Sequence, residues 1–130
     1  MFTPSRDRGA AAVEFALVLP ILLLLVIGIL EFGRAYHVQT TLSNAARDGA
    51  RVMALQDSAT AAEVRTIESA VGLDVTVDMI TVTPDTGCAA PGTTTDLASV
   101  TIEYPFGLLS GLLPIEDLTL TGKGTMRCFG

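Results

Sequence analysis

A single acidic residue, Glu14, lies inside a run of apolar and small residues that extends from Ala10 to Leu30. A helix needs roughly 20 apolar residues to cross a lipid bilayer, so this run is long enough. A charged side chain costs about 2.5–3.5 kcal/mol at the centre of a membrane and less towards its surface. The sequence therefore predicts a transmembrane helix over residues 10–30 in which Glu14 has a functional partner. The alternative is an acid that reaches the nearby cytoplasmic membrane surface and has no partner.

The charges are divided unevenly between the two sides of this run. Residues 1–9 include two arginines and one aspartate, whereas the residues after Leu30 include twelve acids and six lysines or arginines. Because cytoplasmic flanks of membrane helices prefer Lys and Arg, we expect residues 1–9 in the cytoplasm and the acidic remainder outside. The net charge of −6 does not favour nucleic acid as a partner, since nucleic acid needs a basic surface.

A cleavable signal peptide is an alternative interpretation of the same run. The apolar core of a signal peptide has about 7–15 residues and precedes a cleavage site of small residues. The run here is longer, and the nearest candidate site, Gly33-Arg34-Ala35, contains an arginine. An uncleaved membrane anchor is the simpler alternative, but it gives no reason for Glu14.

The helical pattern continues beyond the membrane segment, through residues 31–55. Pro20, Gly28 and Gly33 predict bends of this helix rather than its end. We therefore predict one helix from about Ala10 to about Leu55, whose second half leaves the membrane and is covered by an apolar surface. Apolar or small residues recur there every three or four positions, as on one face of an amphipathic helix, at Phe32, Ala35, Val38, Leu42, Ala45, Gly49 and Val52.

The pattern of residues 56–130 predicts a small α+β domain outside the membrane. Thr60 and Glu63 match a capping box for a short helix that ends at Gly72. Alternation of apolar and polar residues predicts strands over residues 75–83, 100–104 and 118–128, the last bent or interrupted at residues 122–124. The predicted fold is thus a long N-terminal transmembrane helix continuing into an amphipathic helix, then a short helix and an antiparallel sheet of about three strands. The apolar face of the short helix would be Val64, Ile67 and Val71.

An apolar loop broken by glycines follows the second predicted strand, from Phe106 to Pro114. In the simplest interpretation its leucines pack on the domain itself, and a partner or a membrane surface is the alternative. These leucines are Leu108, Leu109, Leu112 and Leu113.

The chain has two cysteines, Cys88 and Cys128, whose separation fits no zinc site, and His37 is the only histidine. A domain outside the cytoplasm favours a disulfide between them, with free thiols as the alternative. Closing a loop of roughly 40 residues would contribute about 3–4 kcal/mol in the chain-entropy model.

The sequence contains no arrangement typical of catalysis or of ligand binding. One histidine cannot form a catalytic set with the acids and cysteines, and Gly122-Lys123-Gly124 lacks the other residues of a phosphate-binding loop. We therefore expect a structural or interaction protein rather than an enzyme, with no cofactor, metal ion or small-molecule substrate.

The N-terminal half of the chain resembles the TadE-like family. The resemblance is carried by residues 8–17 (RGAAAVEFAL), Pro20, residues 31–34 (EFGR) and residues 42–51 (LSNAARDGAR), and it covers about Arg8 to Ala54. TadE-like proteins are pseudopilins or minor pilins of the tight-adherence (Tad or Flp) pilus and are relatives of type IV pilins. The later strands resemble the family only loosely.

The resemblance implies that a prepilin peptidase cleaves between Gly9 and Ala10. Glu14, followed by Phe15, would then be the fifth residue of the mature chain, and the new α-amine of Ala10 could pair with Glu14 of a neighbouring subunit. It also implies a location in the cytoplasmic (inner) membrane, or on the pilus after assembly. The implied partners are the peptidase, other pilins or pseudopilins and the Tad assembly machinery, and the implied role is in pilus assembly and surface adhesion.

Two other functions remain open on the sequence. One is an uncleaved single-pass membrane protein that assists a pilus or a secretion apparatus. The other is a secreted soluble domain that follows an atypical signal and begins near Ala35 or Tyr36.

Overall fold

One uninterrupted helix, α1, extends over Ser5–Gln56 in the computed structural model, which describes residues 5–85, 87–88, 97–109, 111 and 118–128. Pro20 lies inside α1, and the helix continues through Gly28 and Gly33. The prediction of a single helix that passes from the apolar run into the amphipathic segment is therefore confirmed. Its second half packs against a second helix and the sheet. We call the domain formed by the described residues from 31 onward the head.

A short second helix, α2, extends over Ala59–Ser69 and packs against the end of α1. Its N-cap is Ser58, whose hydroxyl accepts a hydrogen bond from the backbone N–H of Ala61 at 3.3 Å. The prediction that Thr60 caps this helix is wrong, because Thr60 already lies within the helix, whereas Ser58 has the extended backbone of an N-cap.

The predicted apolar face of α2 is correct at Ile67, which is half-buried against the core, and wrong at its other two residues. Val64 and Val71 are exposed, whereas Ala62 and Thr66 are buried against α1. The two helices approach closely at Gly49, where an added Cβ would lie 2.0 Å from the Thr66 hydroxyl oxygen. Such a short separation leaves room for small side chains only, so the larger valines lie outside the contact.

Three antiparallel strands form one sheet in the order β1-β2-β3, with β1 at Ile80–Thr83, β2 at Leu97–Phe106 and β3 at Leu118–Arg127. The first strand is shorter than predicted, because residues 77–79 form a 3-10 turn and pairing with β2 begins at Ile80, opposite Ile102. Val77 is exposed although it belongs to the alternating apolar series of Val75 and Met79. The α+β prediction with a three-stranded antiparallel sheet is confirmed.

The core of the head lies between α1, α2 and the sheet. Its largest fully buried side chains are Phe106, Leu42, Met53, Ile102, Val100 and Thr66. Most of the predicted stripe on α1 faces this core, since Val38, Leu42, Ala45 and Gly49 are buried. Phe32, the first residue of the stripe, is exposed, whereas the adjacent Glu31 is buried.

The third strand is continuous through residues 122–124, so it is not interrupted there. Gly122 and Gly124 are buried there, directly opposite Ile102 and Val100 of β2. A Cβ on Gly124 would lie 2.5 Å from the carbonyl carbon of Ala46, and one on Gly122 would lie 2.6 Å from that of Leu42. The glycines therefore allow the strand to lie against the backbone of α1.

The predicted disulfide between Cys88 and Cys128 is present, with a Cα–Cα distance of 5.9 Å. It joins the loop after β1 to the end of β3. The same loop is held to the end of α1, because the carboxylate of Asp57 accepts a hydrogen bond from the backbone N–H of Cys88.

The apolar loop after β2 is described in part. Leu108 is half-buried against the core, as the simplest interpretation expected, but Leu109 is exposed. Leu112, Leu113 and Pro114 lie outside the described residues.

Replacing Gly124 with alanine should destabilise the head by about 1–3 kcal/mol, since the new methyl group overlaps the backbone of α1. Urea unfolding of the detergent-solubilised protein, followed by circular dichroism, measures the change. Gly107→Ala is the matched control, because no atom lies within 4 Å of the added Cβ. Equal stability of the two variants would contradict the close packing.

Removing the disulfide with the double substitution Cys88→Ser and Cys128→Ser should lower the free energy of unfolding by about 2–4 kcal/mol. The same urea titration measures it with and without a reductant. The reductant should destabilise the unsubstituted protein and leave the double variant unchanged. A reductant that has no effect on the unsubstituted protein would argue against the disulfide.

Candidate functional site

The predicted processing residues, Gly9, Ala10, Glu14 and Phe15, all lie on α1 and are all exposed. Ala10 and Glu14 are four residues apart, so they are neighbours on one face of the helix, separated by about 6 Å along its axis. Gly9 has open space around it, with nothing within 4 Å of an added Cβ. The structure thus presents the Gly9–Ala10 bond and the Glu14 carboxylate on an uncovered surface.

Glu14 has no ion-pair partner among the residues that the structure describes. The side chains around it, such as Val13, Phe15 and Leu17, are apolar and exposed. A carboxylate on such a surface is well solvated in water, but in lipid it needs a cation or hydrogen-bond donors. The described residues of a single chain do not meet this need, which makes Glu14 a candidate contact for another molecule.

The apolar part of α1 is long and apolar enough to cross a membrane, and its most apolar stretch is not buried within the protein. A helix from the core of a soluble domain would be mostly buried. This helix instead offers its apolar side chains to the surroundings on all sides, apart from the half-buried Leu19 and Ile27. Such a surface indicates a protein anchored in a membrane by one helix.

A polar cluster joins this apolar part of α1 to the head. The guanidinium of Arg34 donates a hydrogen bond to the carbonyl oxygen of Gly107 and lies 4.1 Å from the centre of the Phe106 ring. Its Nη2 atom is also 3.4 Å from the Glu31 carboxylate, which is buried. Arg34 therefore fastens the end of β2 to α1 at the point where the apolar run ends.

The sequence motif at residues 42–51 has a direct structural explanation. The helix is approached closely by β3 at Leu42 and Ala46 and by α2 at Gly49. The buried members of the motif are all small or apolar: Leu42, Ala45, Ala46, Gly49 and Ala50. Its polar members lie on the other side of α1 or at its margin. Asp48, for example, accepts a hydrogen bond from the Ser69 hydroxyl of α2 at 2.9 Å. The motif therefore encodes the surface of α1 on which the head folds.

Residues 9–51 match the sequence model of the family described as TadE-like protein. The chain carries a TadE-like segment. It includes the predicted processing residues, the apolar run, Arg34 and the motif at residues 42–51, so the resemblance inferred from the sequence is confirmed. No curated protein and no solved structure matches the chain.

A TadE-like domain indicates a protein associated with the Tad pilus. Nothing in the described part of the chain resembles a metal centre, since no three His, Cys, Asp or Glu side chains there are placed to share an ion.

Sequence reasoning missed the contacts that hold the head to α1. The EFGR motif is visible in the sequence, but the partners of Arg34 lie more than 70 residues away, at Phe106 and Gly107. Asp57 gave no signal, because its role depends on the loop that follows β1. The glycines of β3 gave a signal that is typical of either a bend or a close backbone contact.

Replacing Arg34 with glutamine should loosen the junction, because it removes the contact with Phe106 and the charged donor to Gly107. We expect a loss of about 1–3 kcal/mol in the stability of the head and faster hydrogen exchange in residues 107–109. Arg65→Gln is the matched control, because Arg65 is exposed and its ion pair with Glu68 is long, at 3.8 Å. Similar exchange rates in both variants would refute the fastening role of Arg34.

Proposed function

We propose that the protein is a minor pilin or pseudopilin of a Tad (Flp) pilus. A prepilin peptidase cleaves it between Gly9 and Ala10, and it then takes part in pilus assembly and surface adhesion with other pilins and the Tad machinery. It is anchored in the cytoplasmic membrane, with residues 1–9 in the cytoplasm and the head outside, and it has no catalytic activity of its own. The observation that carries the proposal is Glu14, which has no ion-pair partner among the described residues and lies on the apolar surface of a TadE-like segment.

Cleavage would supply the cation that Glu14 lacks. Hydrolysis of the bond after Gly9 frees the α-amine of Ala10, which is a cation in its protonated form. Every subunit then carries one carboxylate and one ammonium group near the same end of α1. A parallel helix displaced by about one turn, or about 6 Å, brings its Ala10 to the level of Glu14.

Such a pair would act on register more than on overall stability. Removing two ions from water costs much of what their attraction returns, so the net gain of a buried ion pair is small. A wrong axial register is different, because it leaves the carboxylate alone among apolar side chains. The pair therefore selects one arrangement of neighbouring helices.

The contact at Arg34 argues against a secreted domain that begins near Ala35 or Tyr36. Cleavage there would remove Arg34 and its contacts with Phe106 and Gly107. The remaining helix would begin only a few residues before Val38, the first buried residue of the core. The head is built on a helix that begins before this point, which favours an anchor that is kept.

Mass spectrometry of the N-terminus of the protein from its native host tests the proposal. We expect a mature chain that begins at Ala10. An intact Met1 would instead support an uncleaved membrane protein that assists a pilus or a secretion apparatus. A chain that begins near Ala35 or Tyr36 would support the secreted domain, and either of these results would overturn the proposal.

Replacing Gly9 with glutamate should block processing, because the peptidase would have to accept a charged side chain directly at the cleaved bond, whereas α1 itself has room for it. An immunoblot of membranes should show only the longer precursor. Gly9→Ala is the control and should still be processed. Complete processing of the glutamate variant would count against cleavage at this bond.

Replacing Glu14 with alanine should leave membrane insertion intact, or improve it, because it removes a charge from the apolar run. Pilus assembly, scored by electron microscopy and by the yield of sheared pili, should be lost. Glu14→Asp keeps the charge and should retain partial assembly. Normal pili in the alanine variant would eliminate the proposed role of the carboxylate.

A further inference from the structure

The loop after β2 is fixed close to the end of the apolar run. Arg34 binds the carbonyl oxygen of Gly107 and contacts the ring of Phe106. Arg34 is four residues beyond Leu30, which corresponds to about 6 Å along the axis of α1. Residues 107–109 therefore lie at the end of the head that faces the apolar run.

The same end of the head carries its most exposed apolar side chains. Beyond Leu30, the four large apolar side chains with the greatest exposed fraction in the described residues are Leu109 (79%), Val71 (78%), Phe32 (73%) and Tyr36 (68%). Leu109 follows Gly107 by two residues, and Val71 lines the same hollow as Arg34, His37 and Gly107. Phe32 and Tyr36 are each two residues from Arg34, so they lie on the opposite side of α1 at about the same level along the helix. We call these four residues the basal apolar patch.

The charge of α1 around the patch also fits a membrane surface. Although the head is acidic overall, α1 carries no acid between Phe32 and Arg47. Glu31 is buried and lies beside Arg34, so its charge is balanced there. Tyrosine is enriched at the boundary between membrane and water, where its ring is in apolar surroundings and its hydroxyl reaches water.

We infer that the basal apolar patch is a second membrane contact, through which the head rests on the surface of the bilayer that α1 crosses. Leu109 and Val71 enter the headgroup region beside the emerging helix, while Phe32 and Tyr36 continue the apolar surface of α1 into it. Phe32 and Tyr36 follow directly on the membrane-spanning surface of α1, and Val71 and Leu109 lie on its other side near Arg34, so both sides of the emerging helix are apolar at this level and lipid is their occupant. The inference rests on the membrane anchoring in the proposed function, but not on cleavage at Gly9.

Tryptophan fluorescence can test this contact cleanly, because the chain contains no tryptophan. The full chain with Leu109→Trp is reconstituted into phosphatidylcholine vesicles with brominated acyl chains, which quench tryptophan, and into unbrominated vesicles. Leu55→Trp is the matched control, because Leu55 is also an exposed leucine but lies 25 residues beyond Leu30, or about 38 Å along α1. Ile29→Trp, in the apolar run, reports insertion of the helix.

We expect the emission of L109W to be roughly twofold lower in brominated vesicles, since interfacial side chains lie about 5–10 Å into the headgroup boundary. L55W should be equally bright in both kinds of vesicle, and I29W should be quenched. Quenching of I29W without quenching of L109W would overturn the membrane contact alone. A blue-shifted but unquenched L109W would do the same and would indicate that a second copy covers the patch.

The I29W variant shows separately whether the membrane anchoring of the proposed function fails. If I29W is not quenched, α1 does not enter the bilayer, and both the anchoring and the membrane contact of the patch are refuted.

Discussion

The close approach of β3 to α1 is the constraint on which the head depends. The first half of α1 is apolar on all sides and is not covered by the rest of the described chain, so only its second half can contribute to the core. The head packs on one face of that half, which is made mostly of small residues. Gly122 and Gly124 bring the strand against the helix backbone at Leu42 and Ala46, while large side chains of β2 fill the space beside them. Gly49 serves the same purpose towards α2. Small residues at these contacts make a thin head possible around a single long helix.

This construction links the membrane segment mechanically to the head. α1 has no break between Ser5 and Gln56, and Arg34 fastens the end of β2 where the apolar run stops. A subunit held in register through Glu14 would therefore also place its head in a defined position relative to its neighbours. If the head rests on lipid before assembly, its withdrawal from the membrane would expose the basal apolar patch at the same time as the apolar run.

The sequence predicts those parts of the fold whose signal is periodic. The long helix follows from apolar spacing between Phe32 and Val52, and the sheet follows from alternation in β2 and β3. The prediction fails where long-range contacts override local pattern. Val77 belongs to an alternating apolar series, but pairing with β2 begins only at Ile80. Thr60 resembles an N-cap, but the helix already begins at Ala59. At the site, Glu14 stands out because a charge among apolar residues is visible locally, whereas Arg34 acquires its role only from the distant Phe106 and Gly107.

The rigid connection between membrane helix and head is measured most directly by the distance between Leu24 and Lys123. Spin labels on ketone side chains at these two exposed positions would leave the disulfide intact, and pulsed electron resonance in lipid bilayers would give the distribution of distances. A reference pair within α1, Leu24 and Arg51, is separated by 27 residues of helix and should give a narrow distribution of distances centred at about 40 Å. The account predicts an equally narrow single distribution for Leu24 and Lys123. A broad or two-peaked distribution beside a narrow reference would show that the head moves independently of the helix, and would contradict it.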